Sequence, residues 1–76
     1  MKRLVETIVR RLCDHPEDAR IMESFEGRTA VYDVAVPESD RGRLIGREGR
    51  TVRALRAFVS AAATARGKRV VVRIKD

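Results

Sequence analysis

The chain has 76 residues, of which 43% are hydrophobic and 37% are charged, and its net charge at pH 7 is +6. A chain of this length forms one small domain, here residues 1–76, with a thin core, because it buries only about 60% of the surface that its unfolded form exposes. Nothing suggests the deep pocket of an enzyme, and no stretch approaches the roughly 20 apolar residues of a membrane span, so we expect a cytoplasmic protein with neither a membrane nor a small-molecule substrate as its partner.

The first 14 residues predict an amphipathic helix over residues 2–14. Its apolar residues recur at helical spacing: Leu4, Val5, Ile8, Val9 and Leu12. The helix should end at His15-Pro16, because the residue before a proline avoids the helical conformation. Cys13 is the only cysteine and His15 the only histidine, so an internal disulfide and a zinc knuckle are excluded. We expect no metal or other cofactor.

Two strands are predicted next, over residues 21–25 and 29–36. Glu26-Gly27-Arg28 between them is typical of a hairpin turn, in which the glycine takes a positive φ. The hairpin carries Glu23, Glu26 and Asp33. We therefore expect it to face away from any phosphate backbone.

The second half of the chain predicts two helices and a strand. A short helix should begin after Pro37, with Ser39 or Asp40 as its cap, and run to about Ile45. A longer helix follows Gly49 and ends at a Gly67 cap; its predicted buried stripe is Val52, Leu55, Val59 and Ala62, with Phe58 beside it. The final strand, residues 70–74, is nearly continuously apolar and should be central or covered. Of the three aromatic residues, Phe25, Tyr32 and Phe58, two are expected to fill the core.

The positive charge lies mainly in this second half. Residues 41–65 contain six arginines and one acidic residue, whereas residues 21–40 contain one basic and five acidic residues. Clustered arginine indicates a polyanion partner, because the planar guanidinium can bond two phosphate oxygens at once. A basic surface that binds nothing explains the charge equally well, so charge alone does not identify nucleic acid as the ligand.

The segment Gly46-Arg47-Glu48-Gly49, between the two predicted helices, carries the chemistry. Glycine costs roughly 1 kcal/mol inside a helix, so the pair marks a sharp break where the backbone can approach a ligand closely. The turn also opens the N-terminus of the next helix, whose free amides favour an anion. Arg47 and Arg50 add full charges. These features predict a clamp for a sugar-phosphate backbone.

A resemblance to a known family supports this interpretation. KH domains clamp about four nucleotides of RNA backbone with a G-x-x-G loop, and the stretch LIGREGRTVRAL resembles their signature. The element order helix-strand-strand-helix-helix-strand is that of the bacterial type II KH fold. The opening LVETIVRRLCDHP and the closing KRVVVRIKD extend the likeness, which is greatest to the small single-KH proteins of the KhpA family, over the entire chain.

The resemblance implies an α+β fold with a three-stranded sheet and helices packed on one face. It also implies a cytoplasmic protein that binds single-stranded RNA, as a post-transcriptional regulator or RNA chaperone linked to cell shape and division. Such proteins pair with themselves or with a larger KH-containing partner, KhpB. The residues expected to bind RNA are Gly46, Arg47, Glu48, Gly49, Arg50, Arg43, Arg53, Ile45 and Val52, the last two as an aliphatic floor or as core. Glu48 departs from the family, which commonly has a non-acidic residue there, and should weaken phosphate contact unless it pairs with Arg50 or Arg53.

Three other interpretations compete. A DNA-binding helix-turn-helix shares the short helix, glycine turn and arginine-bearing second helix. However, the chain has no Asn or Gln, the usual readers of adenine in the major groove. A protein-protein assembly module is favoured by the thin core and the alanine-rich helix, and that role is compatible with RNA binding. An enzyme is disfavoured, because the P-loop pattern is absent and Cys13 and His15 have no third catalytic group.

Overall fold

The computed structural model describes residues 1–75, and its six main elements follow the predicted order. They are α1 (Lys2–Leu12), β1 (Arg20–Glu26), β2 (Thr29–Ala35), α2 (Glu38–Ile45), α3 (Arg50–Ala65) and β3 (Arg69–Ile74). A single turn of 3₁₀ helix occupies Pro16–Asp18, and Arg47–Gly49 form a tight turn in which Glu48 and Gly49 have positive φ. The α+β class and the α-β-β-α-α-β order of a type II KH fold are thereby confirmed.

The three strands form one sheet in the order β1-β2-β3. β1 and β2 are antiparallel and are joined at Gly27-Arg28, with Glu26 opposite Thr29 and Gly27 at φ 63°. β3 is parallel to β2 because α2 and α3 carry the chain back along the sheet. β3 is therefore an edge strand and not central as predicted, since β1 already occupies the other side of β2. Its apolar run is covered on one face only: Val72 is 4% exposed and Val71 is 43% exposed.

The helices pack on one face of the sheet, where the core lies. Residues at alternate positions of the strands point to this face and meet the apolar stripes of α1 and α3. The buried cluster includes Val5, Val9, Ile21, Ala30, Tyr32, Val34, Leu44, Leu55, Val59 and Val72. The opposite, open face carries Met22, Val31 and Val71 beside an ion pair between Arg73 Nε and Asp33 Oδ1 at 2.9 Å.

Two predictions about the core are wrong. Among the aromatic residues only Tyr32 is buried, at 1% exposed, whereas Phe25 is 66% and Phe58 is 58% exposed. In α3 the fourth member of the buried stripe is Ala63 and not Ala62, because Ala63 lies a full i+4 step beyond Val59 and so stays on the face that meets the sheet.

The end of α3 agrees with the sequence. Gly67 adopts φ 68°, and the amides of Gly67 and Lys68 bond to the carbonyls of Thr64 and Ala63 at 2.9 and 2.8 Å. This pair of bonds is a Schellman motif, which satisfies the last carbonyls of the helix. The predicted cap at Gly67 is confirmed.

Candidate nucleic-acid interface

The loop Gly46–Gly49 reverses direction through three residues with positive φ. Gly46 has φ 74° and ψ 174°, Glu48 has φ 56° and ψ 27°, and Gly49 has φ 72° and ψ 17°. The conformation of Gly46 belongs to a region that is essentially restricted to glycine. Glu48 is the one non-glycine residue of positive φ in residues 1–75, and an L-residue there is strained by about 1–2 kcal/mol.

The two glycines of the loop serve different purposes. A Cβ on Gly46 would collide with Thr51, whose backbone nitrogen would lie only 2.9 Å away, so Gly46 allows the loop to close on the first turn of α3. A Cβ on Gly49 would meet no described atom within 4 Å. The backbone at Gly49 therefore borders open space, where a ligand could approach.

The start of α3 is electropositive for two reasons. Gly49 is its N-cap and no side chain caps the helix. The amide of Arg50 already donates to the carbonyl of Arg47, so the first contribution comes from the helix dipole, whose positive end lies here. Arg47, Arg50 and Arg53 are exposed around the same turn. The whole arrangement can hold an anion that lies against Gly49.

Glu48 lies next to one of these arginines. Its Oε2 is 4.0 Å from Arg50 Nη2, and both side chains are more than 70% exposed. An exposed pair at this distance is weak. The carboxylate nevertheless takes up part of the positive charge of the loop.

Arg43 forms an ion pair with the segment after α1. Its Nη2 is 3.1 Å from Asp14 Oδ2. The bond joins α2 to this segment, and the side chain of Arg43 is still 58% exposed. Arg43 can therefore contact a ligand while it is fixed in position.

The same junction contains a contact that sequence reasoning did not predict. Asp40 is fully buried and does not cap α2, as was predicted for Ser39 or Asp40; Pro37 precedes the helix with no side-chain cap. The carboxylate of Asp40 instead accepts hydrogen bonds from the backbone amides of Asp14 at 2.8 Å and His15 at 3.0 Å. The bond from Asp14 and then that from His15 lower the pKa of Asp40, against the effect of burial. No local pattern reveals this contact, because it joins residues 26 positions apart.

The two aliphatic candidates differ in exposure. Ile45, the last residue of α2, is 38% exposed, whereas Val52 is 7% exposed. Ile45 therefore offers surface beside the loop, and Val52 mainly supports it from within. Arg56, which the sequence did not single out, lies further along α3 and donates its Nε–H to the carbonyl of Val72 at 3.0 Å.

One group of side chains that could ligate a metal ion lies in the segment after α1. The ligand atoms of His15, Glu17 and Asp18 come within 4.8 Å of one another, but all three residues are exposed, and such groups are common in proteins that bind no ion. Within residues 1–75, no helix combines the length and the apolar character needed to cross a membrane.

Comparison with known proteins gives one consistent result. The sequence profile of the family described as KhpA/KhpB, KH domain, matches residues 2–74. The "RNA-binding protein KhpA" of Halalkalibacterium halodurans is 45% identical over 76 residues, which is the full length of both chains. That of Clostridium perfringens is 40% identical over 97% of this chain and 99% of its own, and that of Thermotoga maritima is 43% identical over 80% and 81%.

Proposed function

The chain belongs to the KhpA/KhpB family of KH domains, a family of RNA-binding proteins and not of enzymes, and we propose that it binds single-stranded RNA with the loop Gly46–Gly49. The loop grips the sugar-phosphate backbone of about four nucleotides, as KH loops do. Gly46 and Gly49 shape the clamp, and Arg47 and Arg50 supply its charge. Arg43 and Arg53 flank it, while Ile45, supported by Val52, provides an aliphatic floor.

The observation that carries this proposal is the open space at Gly49. The position combines a backbone without a Cβ, no described neighbour within 4 Å, and the uncapped N-terminus of a 16-residue helix. A phosphate fits such a place, because no Cβ obstructs its approach and the helix dipole favours its charge. The exposed arginines around it add the charge that a polyanion requires.

Single-stranded RNA fits this site better than duplex DNA. A recognition helix inserts polar side chains into the major groove, but one face of α3 is buried through Val52, Leu55, Val59 and Ala63, and four of its ten exposed residues are alanines. The loop offers backbone groups and charge, which contact phosphates and sugars in preference to base edges. We therefore expect little base selectivity from the loop itself.

The salt dependence of binding tests the clamp. If about four phosphates are neutralised, log K for a single-stranded RNA should fall with log salt with a slope of roughly −3. The measurement is a fluorescence-anisotropy titration at several salt concentrations, with duplex DNA of the same length as the comparison. A slope near zero, or tighter binding of the duplex, contradicts the proposal.

A double variant tests the position of the site. Replacing Arg47 and Glu48 with aspartates (R47D/E48D) should abolish RNA binding and leave the melting temperature nearly unchanged, since both side chains are exposed and do not contribute to the core. The matched control is Lys2→Asp, which lowers the net charge by the same two units at an exposed position of α1. Normal RNA binding by the loop variant would place the site elsewhere.

The proposal extends to assembly and cellular role. We propose that the chain acts as a homodimer or with a larger KH-containing partner of the KhpB kind. Phe58 is exposed on the same face of α3 as the exposed Ala54, Ala61 and Ala65, and this contiguous apolar strip supports a protein contact there. In this role the protein would be cytoplasmic and would act as a post-transcriptional regulator or RNA chaperone, with effects on cell shape. Sedimentation of the native chain and of Phe58→Ala tests self-association: the variant should be monomeric at concentrations where the native chain is dimeric.

A further inference from the structure

A second basic surface lies at the opposite end of α3 from the loop Gly46–Gly49. α3 has 16 residues, so the two ends are about 24 Å apart. Beyond its C-terminal end, Lys68 and Arg69 come next to Arg28 of the β1–β2 turn. These three cations border a pocket of about 230 Å³, which we call the Phe25 pocket.

The interior of the Phe25 pocket is apolar and contains an exposed aromatic ring. Phe25, Ala30 and Val70 lie side by side on the helix-bearing face of the three strands, and Tyr32 is the next residue on that face. α1 begins only at Lys2, and Met1 borders the pocket, so the helices leave this end of the sheet uncovered. Phe25 is consequently 66% exposed, although it points to the same face as the core.

The charge around the Phe25 pocket is positive. Within residues 1–75, no carboxylate lies within 4.0 Å of a side-chain nitrogen of Arg28, Lys68 or Arg69. Glu23 is the one acidic residue that borders the pocket. Its Oε2 accepts the hydroxyl of Tyr32 at 2.7 Å. Arg28 and Lys68, without acidic partners, therefore lie beside one carboxylate that already has a hydrogen bond. Arg69 also borders the pocket, but it is opposite Thr29 in the sheet, so its side chain starts from the open face.

The sequence predicts an acidic hairpin that faces away from RNA, but most of its acidic side chains lie on the face opposite to the Phe25 pocket. Glu26 alternates with Phe25 along β1 and lies on the open face of the sheet. Asp33 lies on that face too, and Arg73 binds both of its oxygens at 2.9 and 3.3 Å. The negative charge of β1 and β2 is thus mostly directed away from the Phe25 pocket.

We propose that the Phe25 pocket is a second RNA-binding site, in which a base stacks on Phe25 and the adjoining phosphates are held by Arg28 and Lys68. An exposed aromatic ring between cations is the combination that binds single-stranded nucleic acid without strong sequence preference. This inference rests on the proposed function, because the ligand is the same RNA strand that the loop clamps. At about 3.4 Å per stacked nucleotide, a dodecamer reaches roughly 40 Å and can contact both sites, whereas a tetramer can occupy only one.

The test compares the native chain with Phe25→Ala on labelled RNA tetramers and dodecamers. A dodecamer offers several registers to a short site, so each comparison is made between proteins on the same RNA. Phe25→Ala should weaken dodecamer binding about tenfold, the loss expected for one stacked base, and leave tetramer binding at the loop unchanged. Phe25→Trp should bind the dodecamer at least as tightly as the native chain does, since a larger ring stacks at least as well. Arg28→Ala should make the salt slope shallower by about 0.7 for the dodecamer only.

The matched control is Met22→Ala, because Met22 is an exposed apolar residue of the same strand on the opposite face. It should alter neither affinity. If Phe25→Ala binds the dodecamer as tightly as the native chain does, or loses tetramer and dodecamer binding equally, the second site is overturned. The same loss in Met22→Ala would overturn it too. If Phe25→Ala binds the dodecamer normally but R47D/E48D abolishes binding, the loop clamp stands without the second site. If the native chain binds neither RNA, both proposals fail.

Discussion

The carboxylate of Asp40 in α2 accepts a hydrogen bond of 2.8 Å from the backbone amide of Asp14, just beyond the end of α1. Its other oxygen accepts the amide of His15 at 3.0 Å, and the ion pair between Arg43 and Asp14 closes the same junction at 3.1 Å. α2 leads directly into the loop Gly46–Gly49. The position of the loop is therefore set partly by the end of α1, to which these bonds fasten α2.

Replacing Asp40 with asparagine should destabilise the domain. The introduced amide side chain would have only one acceptor oxygen, so an N–H donor would face one of the two backbone amides at a fully buried site. A buried donor without an acceptor is costly, and we expect the melting temperature to fall by roughly 10 °C. The measurement is thermal unfolding followed by circular dichroism.

Glu38→Gln is the matched control for Asp40→Asn. Both residues are in the first turn of α2, so both changes remove the same charge near the helix N-terminus. The Glu38 side chain is 92% exposed, and its replacement should shift the melting temperature by no more than a few degrees. Equal shifts in the two variants would show that the buried contacts of Asp40 contribute little to stability.

Asp40 also predicts how stability depends on pH. Hydrogen bonds from Asp14 and His15 hold its pKa below the ordinary value of 3.8, so the unfolded chain binds the proton more readily than the folded one. The stabilisation is present above pH 3.8 and is lost as the pH falls through the lower pKa of the folded state. Melting temperatures measured from neutral pH down to about pH 2 should therefore fall more steeply in the native chain than in Asp40→Asn. Parallel curves would contradict this assignment.

The local sequence patterns were sufficient for the order of the elements. The helical spacing of Val5 and Val9, the turn at Gly27 and the cap at Gly67 each depend on contacts within a few residues, and each was predicted correctly. The position of β3 was not, because its apolar sequence does not show that β1 already pairs with the other side of β2. The expectation that two aromatic residues are buried was wrong for a similar reason: the alternation of Phe25 along β1 assigns its face, but not where the covering helices begin.

In the candidate site, too, the features set by nearby residues were predicted and those set by tertiary packing were not. Two glycines at this spacing predict a sharp break between two helices, and the structure has one there, with positive φ at Gly46 and Gly49. The sequence could not show that Gly46 accommodates Thr51 while Gly49 borders open space, because this depends on how α3 folds back on the loop. The contact of Asp40 with Asp14 is likewise a consequence of tertiary packing. Which of these residues touch RNA stays a prediction.

The different surroundings of the two glycines predict different effects of alanine. Gly46→Ala places a Cβ against Thr51 in a conformation restricted to glycine, which should cost about 2 kcal/mol and lower the melting temperature by roughly 10 °C. Gly49→Ala meets no neighbour and should cost only about 1 kcal/mol for the left-handed conformation. If the phosphate lies against Gly49, that milder substitution should still reduce RNA affinity at least tenfold.

The two alanine variants are controls for each other, measured by thermal unfolding and by RNA titration well below both melting temperatures. Gly27→Ala provides a third comparison, because Gly27 also has a positive φ of 63° and no neighbour within 4 Å, but lies in the β1–β2 turn. It should lose stability as Gly49→Ala does and keep its affinity for an RNA tetramer. A Gly49→Ala variant with unchanged affinity would contradict the approach of the backbone at that position.

The carboxylate of Glu48 should weaken RNA binding, and its removal gives the most direct measure of the electrostatics of the loop. At about 6 Å in water, a like charge costs roughly 0.7 kcal/mol against a phosphate, so Glu48→Gln should bind RNA about threefold more tightly at low salt. The gain should disappear near 1 M salt, where the screening length is about 3 Å. Glu48→Asn removes the same charge and also suits positive φ better, so it should match the affinity of Glu48→Gln and melt at a higher temperature. Weaker binding by both variants would mean that the carboxylate, through its 4.0 Å contact with Arg50, orients that guanidinium toward the RNA.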